Sequence, residues 1–179
     1  PARVCWQAQT RKIYLDEQPR QERNPPDLRA GPSGRALMVD EPRVRRLLQG
    51  VTDDLALLGE RARIDRDELL SDIDRLAAVK YFFVTAIEGC VDVAHHLCAS
   101  ESWAAPASNA DAFRILVRHG VLDRGLGESL ARAGGFRNVL VHEYAAVDDR
   151  LVAGNLDRLD DLEAFVDAVT AWVNAPPSR

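Results

Sequence analysis

Residues 75–97 read RLAAVKYFFVTAIEGCVDVAHHL. Leu76, Val79, Phe83, Ile87 and Val91 recur at steps of three and four, the period of one helix face, and nothing alternates as a half-buried strand would. Continued backwards through Leu69, Leu70 and Ile73, the pattern predicts one long helix from about Asp67 to Ala99. Its neighbours follow the same period. In EPRVRRLLQGVTDDLALLGERAR (41–63), Val44, Leu47, Leu48, Val51, Leu55 and Leu58 form a stripe, with Asp40 as N-cap and Pro42 in the first turn. SWAAPAS (102–108) interrupts the chain, and Asn109 is expected to cap a short helix that His119-Gly120 stops. Asp123 opens another helix that carries or leads into 137–144, with Gly134-Gly135 just before that stretch. A closing pair is expected at roughly 148–154 and 157–173. The fold class is all-α, a helical bundle.

The chain has 179 residues, 46% of them hydrophobic and 28% charged, which suits one globular domain with a real core. Its longest apolar runs, such as YFFVTAI (81–87), are too short for a bilayer. Cys5, Cys90 and Cys98 are odd in number and lack CxxC spacing, so we expect a reducing cytoplasm and no disulfide framework. A formal charge of −5 argues against a general nucleic-acid coat protein but leaves room for a local basic cleft. Residues 1–37 differ from the rest. They hold five of the nine prolines and seven Arg/Lys against four Asp/Glu, without a helical period. They read as an extension or linker outside a domain at 38–175, with 176–179 a tail. The only methionine, Met38, stands at the change and is a plausible internal start. An ordered arm held by Val4, Trp6, Ile13, Tyr14 and Leu15 is the alternative.

RNVLVHEY (137–144) concentrates the chemistry. On a helix Asn138 and His142 share a face, whereas Arg137 and His142 diverge by about 140°. One straight helix therefore does not aim both at a small ligand. Either the arginine reaches around, the helix is irregular, or a second copy completes the site. The residue types suit RNA cleavage without metal: an imidazole takes the proton of a ribose 2′-hydroxyl, and an arginine holds the phosphate. A half-buried histidine bonded to a neighbour, with Arg137 in a surface ion pair, fits the same residues.

Glu88, Asp92 and His96 lie at i, i+4 and i+8 on the long helix, either facing the cleft and orienting Arg137 or forming an exposed network. Two carboxylates and one imidazole make a weak zinc set and HEY is not HExxH, so no metal is assigned. Arg114, Arg118 and Arg132, with His119 and Arg124 beside them, are candidates for an RNA-guiding rim, or simply a solvated face. Gly125 and Gly127 make no phosphate loop. No cofactor is expected.

RNVLVHEY resembles the Arg-x4-His-x-Tyr motif of the HEPN superfamily, with Asn after Arg. VDEPRVRRLLQGVTDDLALL, the 75–97 stretch, DAFRILVRHGVLDRGLGESLARAGGFRNVLVHEY and DRLVAGNLDRLDDLEAFVDAVTAWV are similar, in order, to segments of HepT toxins of the HepT/MntA toxin–antitoxin family. The likeness covers about 38–174. It implies a HEPN-type bundle of antiparallel long helices with short C-terminal helices, a homodimer with two facing motifs, and metal-independent cleavage of mRNA or tRNA. Carried over, Arg137 and His142 are the catalytic pair, supported by Asn138. Tyr144 matches the tyrosine to which an MntA-like nucleotidyltransferase antitoxin transfers AMP. Adenylylation there would add bulk and negative charge that repel RNA. A non-catalytic helical module partnering such a nucleotidyltransferase is the alternative.

Overall fold

Residues 39–143 and 147–175 are described in the computed structural model, and among them every regular element is helical. The order is α1 (Glu41–Ala62), α2 (Arg66–Ser71), α3 (Ile73–Ser100), α4 (Asn109–Arg118), α5 (Arg124–His142), α6 (Asp149–Asn155), a 3-10 turn (Leu156–Arg158) and α7 (Asp160–Asn174). The extension at 1–37, the tail at 176–179 and Tyr144 lie outside the described residues. No helix among the described residues is long and apolar enough to cross a membrane.

The Asp40 side chain accepts from the Arg43 amide and starts α1, whose Val44, Leu48, Val51, Leu55 and Leu58 are buried at alternating steps of four and three. That stripe packs along α3, and the two helices run antiparallel. Arg43 and Asp40 at the start of α1 stand near His96, whereas Arg61 at its end lies over the Phe82 ring at 5.0 Å. Close approach depends on Gly89, because a Cβ there would stand 2.6 Å from Val51 Cγ2. The hairpin α4–α5 repeats the device, with a Cβ on Gly127 falling 2.3 Å from Val117 Cγ2.

α7 closes the bundle through Phe165, edge-on to Phe113 of α4, and through Arg45 Nη2, which donates to Asn174 Oδ1. At that end Trp103 stacks parallel on His119 at 4.0 Å and meets Trp172 edge-on. Cys90 and Cys98 are buried in α3, and burial pushes both thiols up, away from the reactive thiolate.

The structure differs from the sequence reading in two places. The long helix from Asp67 is two helices, α2 and α3, because Asp72 is extended (φ −103°, ψ 99°) and its carboxylate caps the Asp74 and Arg75 amides. Ser108, not Asn109, caps α4, its hydroxyl accepting from the Asp111 amide. The helix expected to open at Asp123 is α5, which contains Gly134 and Gly135 and carries the motif as far as His142.

Candidate active site

Two helices build the site. α3 presents Glu88, and the end of α5 presents Arg137, Asn138 and His142. Arg137 Nε stands 2.8 Å from Glu88 Oε2, and its Nη1 donates to Asn138 Oδ1 at 3.2 Å. The ionic contact is close but lacks hydrogen-bond alignment, and both atoms are shut away from solvent. A guanidinium carries five N–H donors in a fixed plane. With Glu88 at one edge and Asn138 at another corner, its orientation is set while donors remain for an incoming phosphate. Exposed apolar residues flank the pair: Tyr81, 63% exposed, two turns before Glu88, and Val141, 43% exposed, one turn after Arg137.

His142 is the last residue of α5 and is exposed. Since α5 is regular α-helix from Arg124 to His142, no local irregularity swings His142 round to Arg137. Arg137 in turn is committed to Glu88 on the neighbouring helix. Helical geometry places His142 on the face of Asn138 instead, about 140° from Arg137.

Of the acidic and imidazole stripe on α3, only Glu88 meets Arg137. Asp92 is exposed one turn further on. His96 does not orient Arg137, because eight residues of helix carry a side chain about 80° round the axis. It lies by Ser100 Oγ at 3.4 Å and near Arg43, and its imidazole is held below the usual range, first by burial and then by Arg43. Among the rim candidates, Arg114 Nε bonds Glu128 Oε1 at 3.2 Å and Arg118 lies 3.8 Å from Asp111. The Arg114 hydrogen bond leads in holding the Glu128 carboxyl below its usual range, and Arg132 and Arg124 add to it. Arg114, Arg124 and Arg132 therefore share an acid that offsets part of their positive charge.

One contact escaped the sequence reading. Lys80, 7% exposed, reaches Asp149 Oδ1 at 2.7 Å and ties the first turn of α6, just beyond the motif, to α3. A lone cation inside the apolar run AAVKYFFV was the available signal.

The family model described as Ribonuclease HepT-like matches residues 51–169, and the chain belongs to that family. The mRNA nuclease HepT of Shewanella oneidensis is 31% identical over 85 residues, 47% of this chain and 64% of that protein, so the chain spans less than two thirds of this relative's length. Among solved structures, the tri-AMPylated HEPN toxin of Shewanella oneidensis in complex with MNT antitoxin superposes with a TM-score of 0.66 at 22% identity, covering 72% of this chain and 96% of that one. YutE of Bacillus subtilis, a cytosolic protein of unknown function, gives 0.67 at 21% identity, covering 79% and 97%. At these identities the likeness is one of fold.

Proposed function

We propose that this chain is the toxin of a HepT/MntA-type pair, an endoribonuclease that cuts mRNA or tRNA in the cytoplasm without a metal. The observation that carries the proposal is the Glu88–Arg137 ion pair, which pre-orients the arginine that opens the Arg-x4-His-x-Tyr motif. Membership of the Ribonuclease HepT-like family supports it. His142 takes the proton from a ribose 2′-hydroxyl, and the 2′ oxygen attacks the adjacent phosphorus. Arg137 holds the phosphate as charge builds on its oxygens. The bond to the 5′ oxygen breaks, and that oxygen takes a proton from water. A 2′,3′-cyclic phosphate and a 5′-hydroxyl remain. Glu88 and Asn138 position Arg137.

The angular separation of Arg137 and His142 supports a homodimer in which each copy completes the other's site. In the same proposal, a partner nucleotidyltransferase silences the toxin. The Tyr144 phenol oxygen attacks the α-phosphorus of ATP, pyrophosphate leaves, and the tyrosyl-AMP puts negative charge beside the phosphate site.

The test offers total RNA and tRNA, in EDTA, to wild type, Arg137→Ala and His142→Ala. Cleavage by wild type alone, with cyclic-phosphate ends, is expected. A 3′-hydroxyl product contradicts the mechanism, and intact RNA with all three proteins favours a non-catalytic binding module.

A further inference from the structure

Between α2 and α6 lies an open cavity of about 310 Å³, lined by Arg66, Asp67, Leu70, Arg150, Ala153 and Gly154. No residue of the 137–144 motif lines it. Its two arginines differ. Arg66 Nη2 is paired with Asp157, and its Nη1 is shut away from solvent without a hydrogen-bond partner. Arg150 is exposed, and its guanidinium makes no ion pair among the described residues. Asp67 is the third charged group of the lining and likewise makes no ion pair there. Leu70 and Ala153 supply an apolar wall, and Gly154 adds no side chain to narrow the space. The lining therefore combines guanidinium donors for an anion, a carboxylate acceptor for hydrogen-bond donors, and apolar surface.

We propose that this cavity binds one nucleotide unit. The phosphate meets Arg150, whose planar donors suit its oxygens. An amine of the base or a ribose hydroxyl donates to Asp67, and the base lies on Leu70 and Ala153. Size supports this choice, because the volume is at the lower end of small-molecule sites. The unit comes either as a free mononucleotide or as one link of a bound RNA strand. The second source rests on the ribonuclease reading, whereas the first does not.

The test measures affinity of the full chain for AMP and for an uncleavable 2′-O-methyl RNA decamer, using wild type, Arg150→Gln and Asp67→Ala. Arg150 is exposed, so its replacement leaves the fold intact, which melting checks. A free-nucleotide site loses about tenfold or more in AMP affinity in both variants. A strand site shows the loss with the decamer instead, and Arg150→Gln lowers the salt slope by about one. Unchanged binding of both probes in Arg150→Gln overturns the proposal. So does tighter binding in Asp67→Ala, the result of simple charge attraction without a second anchor. Cleavage in EDTA is scored separately, so a failure of the ribonuclease reading leaves the AMP result interpretable.

Discussion

Arg137 reaches across a helix boundary, with Nε on Glu88 of α3 and Nη1 on its own neighbour Asn138. Glu88 is 39% exposed and Arg137 22%, so the pair adds only about 0–1 kcal/mol to stability. Its value lies in geometry. Glu88→Gln is expected to lower RNA cleavage about ten- to a hundredfold while the melting temperature stays within a few degrees; equal cleavage would show that Arg137 orients itself. Arg137→Lys should fare no better, since a lysine offers no planar fork. A second residue speaks through pH. The His96 imidazole is held below its usual range by burial and by Arg43, with Asp40 opposing. The fold thus favours the neutral ring. Its full contribution is present above the unfolded value of about 6.5 and is lost as pH falls through the lower folded value. Melting temperature is expected to drop between pH 7.5 and 5.5, and to drop less in His96→Gln. The motif residues and Glu88 were legible in the sequence. Which of Glu88, Asp92 and His96 meets Arg137 was not, because a stripe at i, i+4, i+8 drifts round the helix and only the neighbouring helix decides.

Helix lengths were legible wherever an apolar stripe met a capping residue, as at Asp40 and Asp123. The break at Asp72 was not, because Leu69, Leu70, Ile73 and Leu76 keep helical spacing across it while one residue turns the backbone. Asp72 caps α3 and also pairs with Arg75 Nε at 2.9 Å. Asp72→Ala is expected to cost about 1 kcal/mol in urea denaturation; no change would mean that packing alone holds the corner. Two glycines of α5 should respond in opposite senses. Gly134→Ala meets no atom within 4 Å and is expected to stabilise by about 0.5–1 kcal/mol through helix propensity. Gly127→Ala drives a methyl into Val117 and is expected to destabilise by about 1–3 kcal/mol, with partial rescue by Val117→Ala. Losses at both positions would show that backbone entropy does not govern α5.

On the scale of the whole molecule, Tyr81 and Val141 leave apolar surface beside the Glu88–Arg137 pair, on the face where the proposed second copy sits. Light scattering is expected to give twice the chain mass, and Val141→Asp to shift it towards one chain with cleavage lost in parallel. A Val141→Asp protein that stays dimeric would move the interface elsewhere. The sequence raised the need for that copy through an angle between two side chains, but a single chain's residues do not say which surface meets it. Lys80 has a different consequence. The sequence contains only two lysines, Lys12 and Lys80. The second is sealed in the bundle with its ammonium on Asp149. Amine-reactive cross-linkers therefore have almost no handle on the folded body, and a blank result with such reagents carries no information about assembly. Carboxylate- or arginine-directed chemistry is the appropriate choice for mapping contacts, and acylation of Lys80 becomes a direct readout of the body opening.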